Sequence, residues 1–574
     1  MNLFRRTTTV CQRWTRQYPR NCRYISRSAE EFESASSKSI PDGAPAITFE
    51  TLGLRPSVVN AMHAAFPNIR NPTDAQTRLI PAVLSGMDVL VTDDTGSGKS
   101  FGLLLSLLNK PRLRYKNKET GLVRENMSIT SLFVVPHRDL AYQLYHWVQC
   151  ISNAASSTSP GTPSISSIAQ VLVRDGKMHL DSGLTALRSN PPHILIATPQ
   201  AVMDVYRQEP EALPFVEFST VVVDEIDYLV ETMPHKSEDT TYWKTIQKRQ
   251  AKLARHPGVT TELLDIIYAQ RKKMSEENRE VLVNELYHTP QLVVSSASVR
   301  KHLSSHLFYE SRWMKKKDTI IVHGSPNAVA PHSGLGGKDV THSVLVVSGA
   351  KVTSIEEAVL TTPEGDRDAT RKLAENSEGP PVAVDVSAEQ RSAYEGKPSP
   401  FNPNALEAVA VAFALDVPSV ALLVIRPEAS VQRAVYDLRS MGVNAVALDV
   451  ANMERGGAHL LSYGDTSEFK TNPTLLVCTR AMTRGIDFPE LTHVFIMEFF
   501  QGKMSGQTVD EYLHIAGRVG RFGRGGRVIT LVERGPVAGS ETKDGRRTGG
   551  KEDAKMMSIL KSIGCNPDRF EYFD

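Results

Sequence analysis

Residues 93–100 read Asp-Asp-Thr-Gly-Ser-Gly-Lys-Ser and follow the largely apolar stretch 87–92. This order predicts a strand, then a glycine loop, then a helix over 101–109. Gly96 and Gly98 allow a turn that aims backbone N–H groups at phosphate oxygens, and the helix N-terminus adds partial positive charge. Lys99 is expected to contact the β- and γ-phosphates, and Ser100 to bind Mg²⁺. The stretch therefore predicts a nucleoside triphosphate site, although Asp93 stands where the usual pattern begins with glycine.

The composition of the 574 residues is that of a globular protein, with 41% hydrophobic and 23% charged residues. The length suffices for about three or four domains. No run of about 18 apolar residues occurs, which argues against a membrane span. The five cysteines are scattered and form no C-x-x-C pair, so neither a zinc site nor a disulfide framework is indicated. We expect a monomer with free thiols.

The first 29 residues carry seven arginines, no lysine and no acidic residue. This composition is typical of a mitochondrial transit peptide and predicts a protein of the mitochondrial matrix. The alternative is a disordered basic arm that binds nucleic acid. Without these seven charges the net charge changes from +2 to −5, so any nucleic-acid contact of the remaining chain must come from a local patch. Residues 30–46 are rich in Ser, Glu and Pro and are expected to be disordered.

Strand-like runs alternate with helical patterns in two halves of the chain, which predicts an α/β protein with parallel sheets covered by helices. In residues 47–324, the first α/β domain, the expected strands are 87–92, 131–135, 169–173, 193–197, 219–224 and 291–295. In residues 341–535, the second, they are 421–425, 445–449, 474–478, 492–496 and 528–532. A Gly/Pro/His-rich linker over 325–340 joins the two, and we expect a cleft between them.

Three segments interrupt this alternation. Residues from about 235 to 285 and from about 350 to 403 are polar and are interpreted as insertions, one in each domain. The basic run 270–273 in the first insertion is expected to be a solvated helix face, with an RNA contact as the alternative. Residues 536–574 are interpreted as a flexible tail that includes a short helix at about 552–563.

An acidic motif follows a Val-rich strand at Asp224-Glu225-Ile226-Asp227. A carboxylate at the carboxyl end of a strand, beside a phosphate loop, suits Asp224 as a Mg²⁺ ligand. Glu225 could orient or deprotonate an attacking water. A solvated acidic turn is the alternative.

A Gly/Arg-rich motif in the second half reads His514 to Arg524. Arg518 and Arg521 are three residues apart and would lie on one side of a helical turn. From there they could reach a γ-phosphate across the cleft, as arginine fingers do. The alternative is a surface turn.

Together these motifs resemble the serial motifs of the DEAD-box family of RNA helicases, over residues of about 47–535. In chain order they are Phe49 with Pro72–Gln76, residues 93–100, Pro136–Leu140, Thr198–Ala201, Asp224–Asp227, Ser296–Ser298, Thr479 with Arg484–Asp487, and His514–Arg521.

The resemblance implies two tandem RecA-like domains, ATP and Mg²⁺ as cofactors, and RNA as the partner. It implies that Phe49 stacks on adenine and that Gln76 selects ATP, within a nucleotide-binding set of Phe49, Gln76, Thr95, Gly96, Ser97, Gly98, Lys99, Ser100, Gly485 and Asp487. The implied catalytic residues are Lys99, Asp224, Glu225, Arg518 and Arg521, with Ser100 and Asp224 at the metal. The implied RNA contacts are Pro136, His137, Arg138, Thr198, Pro199, Thr479 and Arg484, and the coupling residues are Ser296, Ser298 and His514.

The sequence also departs from the family's motifs. Asp93 and Asp94 replace the usual alanine and glutamine, and two acids beside a polyphosphate predict weak ATP affinity. Ile515 and Ala201 each replace an arginine. These departures predict a slow or partner-dependent enzyme.

Three functions stay open on the sequence alone. The first is a mitochondrial RNA helicase that remodels ribosomal RNA with mitoribosome assembly proteins during assembly of the large subunit, a process inferred from resemblance to organellar members of the family. The second is an RNA clamp that binds ATP and hydrolyses it weakly, and the third is a DNA-acting translocase of superfamily 2.

Overall fold

The computed structural model describes most of the chain beyond residue 46. The described residues are 47–112, 114–116, 123–125, 128–158, 163–174, 179–232, 247–248, 251, 253, 255, 257–276, 289–324, 340–349, 351–359, 386–448, 473–488, 491–500, 506–520, 525–534 and 552–573. The expected transit peptide, the segment 30–46, the linker up to residue 339 and Arg521 lie outside them.

The first lobe is built on a seven-stranded sheet in which every strand runs parallel to its neighbours. In spatial order the strands are Ala169–Leu172, Ile194–Ala197, Ser131–Val134, Thr220–Val223, Gln291–Ser296, Asp88–Thr92 and Thr319–His323. The glycine loop and the acidic motif therefore leave the same edge of the sheet, at the carboxyl ends of two strands that Gln291–Ser296 separates.

The second lobe is built on another seven-stranded sheet, parallel except for its first strand. In spatial order the strands are Lys351–Ser354, Val340–Ser348, Gly526–Glu533, Leu491–Met497, Val420–Ile425, Thr474–Thr479 and Ala445–Ala447. A separate two-stranded ribbon pairs Arg114–Lys116 with Val123–Glu125.

Helices cover both faces of each sheet. Those of the first lobe are Pro56–Ala65, Asp74–Leu84, Lys99–Asn109, Arg138–Thr158, Ile165–Ile168, His179–Ser189, Pro199–Gln208, Ile226–Leu229, Val259–Ile267, Ala269–Glu276 and Lys301–Ser305, with short 3₁₀ turns at Pro210–Ala212, Phe215–Glu217 and Lys316–Asp318 and a π turn at His306–Glu310. Those of the second lobe are Ala388–Tyr394, Pro403–Asp416, Val431–Ser440, Gly506–Ala516 and Glu552–Ser562, with a 3₁₀ turn at Arg480–Thr483.

Each central strand contributes alternate side chains to two separate cores. Val89 and Val91 belong to one apolar cluster of the first lobe, and Leu90 belongs to the other. Since both faces are buried, such strands are apolar throughout, which is why their Val/Ile/Leu runs predict them correctly. The α/β class with two parallel-dominated sheets is confirmed.

The interpretation of 235–285 as a polar insertion is wrong for its described second half. Leu263, Leu264 and Ile267 lie in a core cluster of the first lobe. Arg271, expected on a solvated face, forms an ion pair with Asp88 at 2.6 Å and stacks its guanidinium over the Tyr268 ring. A buried carboxylate and an aromatic ring draw this basic residue inward.

The other two interruptions also contain ordered structure. Within 350–403, Lys351–Ser354 forms the antiparallel edge strand and Ala388–Tyr394 forms a helix. The tail is not flexible over residues 552–573. The helix Glu552–Ser562, predicted at about 552–563, buries an apolar face on the second sheet, and Phe570 is fully buried. Among the described helices, none is both long and apolar enough to cross a bilayer.

Candidate nucleotide site between the two lobes

The helix Asp74–Leu84 and its N-cap residue Thr73 hold the glycine loop by hydrogen bonds. Gln76 is buried, and its Nε2 donates to the backbone oxygen of Gly98 at 3.1 Å, while Thr73 Oγ1 donates to the oxygen of Ser97 at 2.7 Å. Gly98 has φ +85°, and a Cβ there would lie 2.6 Å from Gln76 Nε2. The loop thus needs glycine at 98 both for its backbone and for this contact.

Lys99 is buried at the start of the helix Lys99–Asn109. Its Nζ donates to the backbone oxygens of Asp93, at 2.6 Å, and Asp94, at 2.5 Å. Burial lowers the pKa of Lys99, although the carboxylates of Glu225, Asp93 and Asp224 act in the opposite direction. The ammonium group therefore lies inside its own loop, close to the place that a phosphate chain would take.

Ser100 and Asp224 lie together, as their expected metal role requires. Ser100 Oγ donates to Asp224 Oδ2 at 2.6 Å, and Ser295 Oγ donates to Oδ1 at 2.5 Å. Burial, and then the charge of Glu225, raise the pKa of Asp224. A hydroxyl and a carboxylate at this distance are oxygen ligands of the kind that Mg²⁺ prefers, so the two residues fit the ion. Ser295 was missed from the sequence, which drew attention only to Ser296 and Ser298.

Glu225 has a strained backbone and a buried carboxylate. Its φ is +55°, in the left-handed region that disfavours non-glycine residues. Its Oε2 makes no hydrogen bond with the described residues. Among the described residues, Arg484 Nη1 lies 3.8 Å and His514 Nδ1 lies 3.9 Å from this oxygen, both from the second lobe. A carboxylate held buried with an unused oxygen is suited to accept a proton or to orient a water.

Asp227 is the main polar link between the lobes. It accepts from Ser296 Oγ at 2.6 Å and from Arg484 Nη1 at 3.1 Å, and His514 Nε2 lies 3.6 Å away. Burial alone would raise its pKa, but the His514 ring and the charge of Arg484 hold the pKa of Asp227 well below its usual range. Ligand atoms of Glu225, Asp227 and His514 lie within 4.8 Å of one another, but the Arg484 guanidinium, 3.1 Å from Asp227, already compensates one of the two carboxylates.

Arg484 was expected to contact RNA and instead faces the acidic motif. Its guanidinium lies 4.8 Å from the centre of the Tyr228 ring as well as against Asp227. Its backbone oxygen accepts a hydrogen bond at 2.7 Å from His137 Nε2 of the first lobe.

His137 was also expected to contact RNA, and its ring is used between the lobes instead. Its Nδ1 accepts from the backbone N–H of Leu140 at 3.3 Å, so Nε2 carries the proton that is donated to Arg484. Burial lowers the pKa of His137, in keeping with this neutral ring. Since both ring nitrogens are used, neither is left for a phosphate.

Two glycines let the lobes approach closely. A Cβ on Gly485, which has φ +71°, would lie 2.5 Å from Leu140 Cδ2, and a Cβ on Gly517 would lie 2.1 Å from Thr95 Oγ1. Beside Gly485, the backbone N–H of Asp487 donates to Gln143 Oε1 at 2.8 Å. Gly485 and Asp487, expected at the nucleotide, thus contact the first-lobe helix Arg138–Thr158.

A second polar contact between the lobes lies beside Asp227, at the coupling residues. Arg300 Nε donates to Asp510 Oδ2 of the second lobe at 2.9 Å, and Ser298 Oγ lies 3.4 Å from the same atom. A polar cavity of about 210 Å³ opens here, lined by residues of both lobes that include Tyr228, Arg300 and Asp510. Ser296 and Ser298 therefore connect the acidic motif to this second contact between the lobes.

The expected arginine finger at Arg518 lies buried within the second lobe. Its Nε donates to the backbone oxygen of His514 at 2.9 Å, and its Nη1 donates to the backbone oxygen of Ile486 at 2.8 Å. This guanidinium supports the turn that presents His514. Arg521 lies outside the described residues.

Phe49 does not lie at the nucleotide site. It is fully buried, with its ring edge-on to His63 at 6.0 Å between centroids, among the apolar residues of the first core. Its expected stacking on adenine is wrong, because neither face of the ring is accessible.

The remaining expected RNA contacts lie at the carboxyl edges of the sheets. Pro136 and Arg138 follow the strand Ser131–Val134, and Thr198 and Pro199 begin the helix Pro199–Gln208 after Ile194–Ala197. Thr479 ends the strand Thr474–Thr479 of the second lobe. Thr198 is buried at the helix N-cap, and Thr479 is half-buried.

Comparison with known proteins agrees with this geometry. The DEAD/DEAH box helicase model matches residues 73–254, and the model of the helicase conserved C-terminal domain matches residues 465–523. Over these residues the chain is similar to the DEAD/DEAH box helicases.

The relatives of this chain are distant in sequence. ATP-dependent RNA helicase DBP7 of Meyerozyma guilliermondii is 24% identical over 528 residues, which are 87% of this chain and 62% of the relative. Probable ATP-dependent RNA helicase DDX28 of Mus musculus is 29% identical over 185 residues, 32% of this chain and 31% of the relative. The match thus spans less than two thirds of the length of either.

Solved structures of the family share the fold. S. cerevisiae Dbp5 bound to RNA and ADP BeF3 superposes with a TM-score of 0.51 at 16% identity, covering 91% of this chain and 95% of that one. Mss116p bound to ssRNA and AMP-PNP gives 0.50 at 18% identity, covering 86% and 76%. The chain therefore has tandem RecA-like lobes, as expected.

Proposed function

We propose that the protein is an ATP-dependent RNA helicase that remodels structured RNA by closing two lobes around ATP and an RNA strand. The observation that carries this proposal is the meeting of Glu225 and Asp227 of the first lobe with Arg484 and His514 of the second. The Glu225 carboxylate, proposed to act in ATP hydrolysis, is thereby placed at the interface between the lobes. An enzyme that couples ATP turnover to lobe closure requires such a placement.

In the proposed reaction the loop 95–100 cradles the phosphates and Lys99 turns from its backbone partners to the β- and γ-phosphates. Ser100 and Asp224 would hold Mg²⁺, which supplies neutralisation of phosphate charge. Glu225 orients the attacking water and accepts its proton. Arg521 is proposed as the finger that stabilises charge on the γ-phosphate, with Arg518 holding the turn beside it.

RNA binding is proposed at the carboxyl edges of both sheets, through Arg138, Thr198 and Thr479. Contacts there would go to phosphates and 2′-hydroxyls, so sequence preference should be weak. Ser296 and Ser298 then transmit closure of the lobes to the acidic motif through Asp227 and Asp510.

We further propose that the protein acts in the mitochondrial matrix on ribosomal RNA. The arginine-rich, acid-free segment 1–29 supports the location. The resemblance to organellar members of the family supports the substrate.

The test is the ATPase rate of the full chain with no nucleic acid, with RNA and with single-stranded DNA, together with the Glu225→Gln variant. We expect RNA to stimulate the rate and the variant to lose about 100-fold or more of it while still binding ATP. Stimulation by DNA alone would favour the translocase, and ATP binding without turnover would favour the clamp.

A further inference from the structure

Asp93, the first residue of the phosphate loop, has a structural partner that its sequence position does not reveal. Its Oδ2 lies 3.9 Å from Arg78 Nη2, and only 10% of its side chain is exposed. Its Oδ1 accepts the backbone N–H of Asp94 at 2.7 Å. The carboxylate is thus turned toward the helix Asp74–Leu84 and bound within the protein.

Arg78 in turn connects three parts of the first lobe. Its Nε donates to the backbone oxygen of Asp74 at 3.2 Å, and its Nη1 donates to the backbone oxygen of His323, the last residue of the edge strand. A Cβ on Gly324 would lie 3.1 Å from Asp93 Oδ1, so the small residue there leaves room for the carboxylate.

The backbone of Asp93 is held as well. Its N–H donates to the oxygen of Ser296 at 3.3 Å, on the neighbouring strand, and its own oxygen accepts from Lys99 Nζ at 2.6 Å. The loop therefore starts from a residue tied to the strands on both sides, and the same residue supplies one of the oxygens that locate Lys99.

We propose that Arg78 and Asp93 form an anchor that positions the phosphate loop and Lys99 for nucleotide binding. Arg78 is a positioning residue, since it acts through Asp93. This proposal rests on the proposed ATP site and reverses the sequence-based expectation for one of the two unusual acids. Asp93 strengthens nucleotide binding, because its charge is partnered by Arg78 and its backbone oxygen helps to locate Lys99.

The test measures the equilibrium dissociation constant of a fluorescent N-methylanthraniloyl-ADP and the ATP KM and kcat of the full chain. The variants are Asp93→Asn, Arg78→Gln, the double variant and Arg78→Lys. We expect each single neutral variant to weaken nucleotide binding and raise KM by about three- to tenfold, the range that a partly exposed ion pair with a positional role allows. The double variant should bind nucleotide no more weakly than either single variant. The kcat of each variant should differ from that of the wild type by less than about twofold. Arg78→Lys should recover part of the affinity that Arg78→Gln loses.

Arg207→Gln is the matched control, since Arg207 forms an exposed ion pair with Glu262 at 2.7 Å elsewhere in the first lobe. Tighter binding in Asp93→Asn would overturn the anchor and support repulsion between Asp93 and phosphate. Additive losses in the double variant would also overturn it. A wild-type protein that binds no adenine nucleotide would instead overturn the proposed function on which the anchor rests.

Discussion

Ile515 illustrates how one departure from the family's motifs is built into the structure. His514 faces the acidic motif, whereas Ile515, the next residue, is 2% exposed in a core cluster with Tyr512 and Val519. The arginine expected at this position would therefore enter the core. We expect Ile515→Arg to destabilise the second lobe by about 3 kcal/mol or more, because a buried charge without a partner is costly.

Chemical unfolding of the full chain measures this loss, with Ile515→Val as the control at about 1 kcal/mol. An arginine variant of wild-type stability with a faster RNA-stimulated rate would show that the side chain can reach the cleft.

A substitution of Arg484 can distinguish a role in coupling the two lobes from a role in RNA binding. It bonds Asp227 and stacks on Tyr228, so we expect Arg484→Met to lower the RNA-stimulated kcat about tenfold, the cost of one charge-assisted hydrogen bond at the site. RNA affinity without nucleotide should stay within about twofold in a filter-binding assay, since no phosphate contact is removed. A large loss of RNA affinity with an unchanged kcat would restore the original interpretation of Arg484 as an RNA contact.

At the scale of elements, the sequence predicts strands that are apolar throughout better than strands that contain or adjoin polar residues. Runs such as 420–425 and 194–197 are apolar because both faces are buried. The edge strand Thr319–His323 was missed because it is only partly buried and follows three lysines. The strand Val340–Ser348 was missed because it starts with the polar Val-Thr-His-Ser and adjoins the linker.

The close contact of Gly485 with the helix Arg138–Thr158 can be tested by adding one methyl group. Its φ of +71° and its predicted Cβ position 2.5 Å from Leu140 Cδ2 make alanine unfavourable in both backbone and packing. Leu140 is fully buried and cannot move aside. We expect Gly485→Ala to weaken lobe closure and to reduce the RNA-stimulated ATPase rate several-fold.

The steric part of that effect has its own control. Leu140→Ala combined with Gly485→Ala should recover part of the closure lost in Gly485→Ala, although the backbone strain remains. Closure is measured by energy transfer between dyes on the two lobes. A double variant that closes no better than Gly485→Ala would locate the defect in the backbone alone.

At the scale of the whole molecule, the motifs of the site could be found from the sequence, whereas the lobe contacts could not. Asp224, Glu225 and Ser100 meet as predicted because the strands that carry them end at one edge of one sheet. The positions of His137, Arg484 and Arg518 depend on how two lobes pack, and no local pattern encodes that. Phe49 was misplaced for a related reason, since an aromatic residue near a motif has the same appearance in sequence whether it stacks on a base or fills a core.

Each lobe also contains a buried neutral histidine, which makes the stability of the molecule sensitive to pH. Burial lowers the pKa of His342 to about 4, and burial together with the charge of Arg112 lowers that of His193 to about 4. His342 Nδ1 lies 2.8 Å from the hydroxyl of Tyr512, and its Nε2 has no hydrogen-bond partner among the described residues.

Because both pKa values lie below the unfolded value of about 6.5, the unfolded chain binds more protons between pH 6.5 and 4, and stability is lost as the pH falls through that range. Each histidine should lower the free energy of unfolding by about 1 kcal/mol per pH unit there. His342→Asn keeps a hydrogen-bonding group near Tyr512 but cannot be protonated, so its unfolding free energy should fall less steeply than that of the wild type between pH 6 and pH 4.5. Urea unfolding at several pH values measures both slopes, and equal slopes would mean that His342 is protonated as readily in the folded protein as in the unfolded chain.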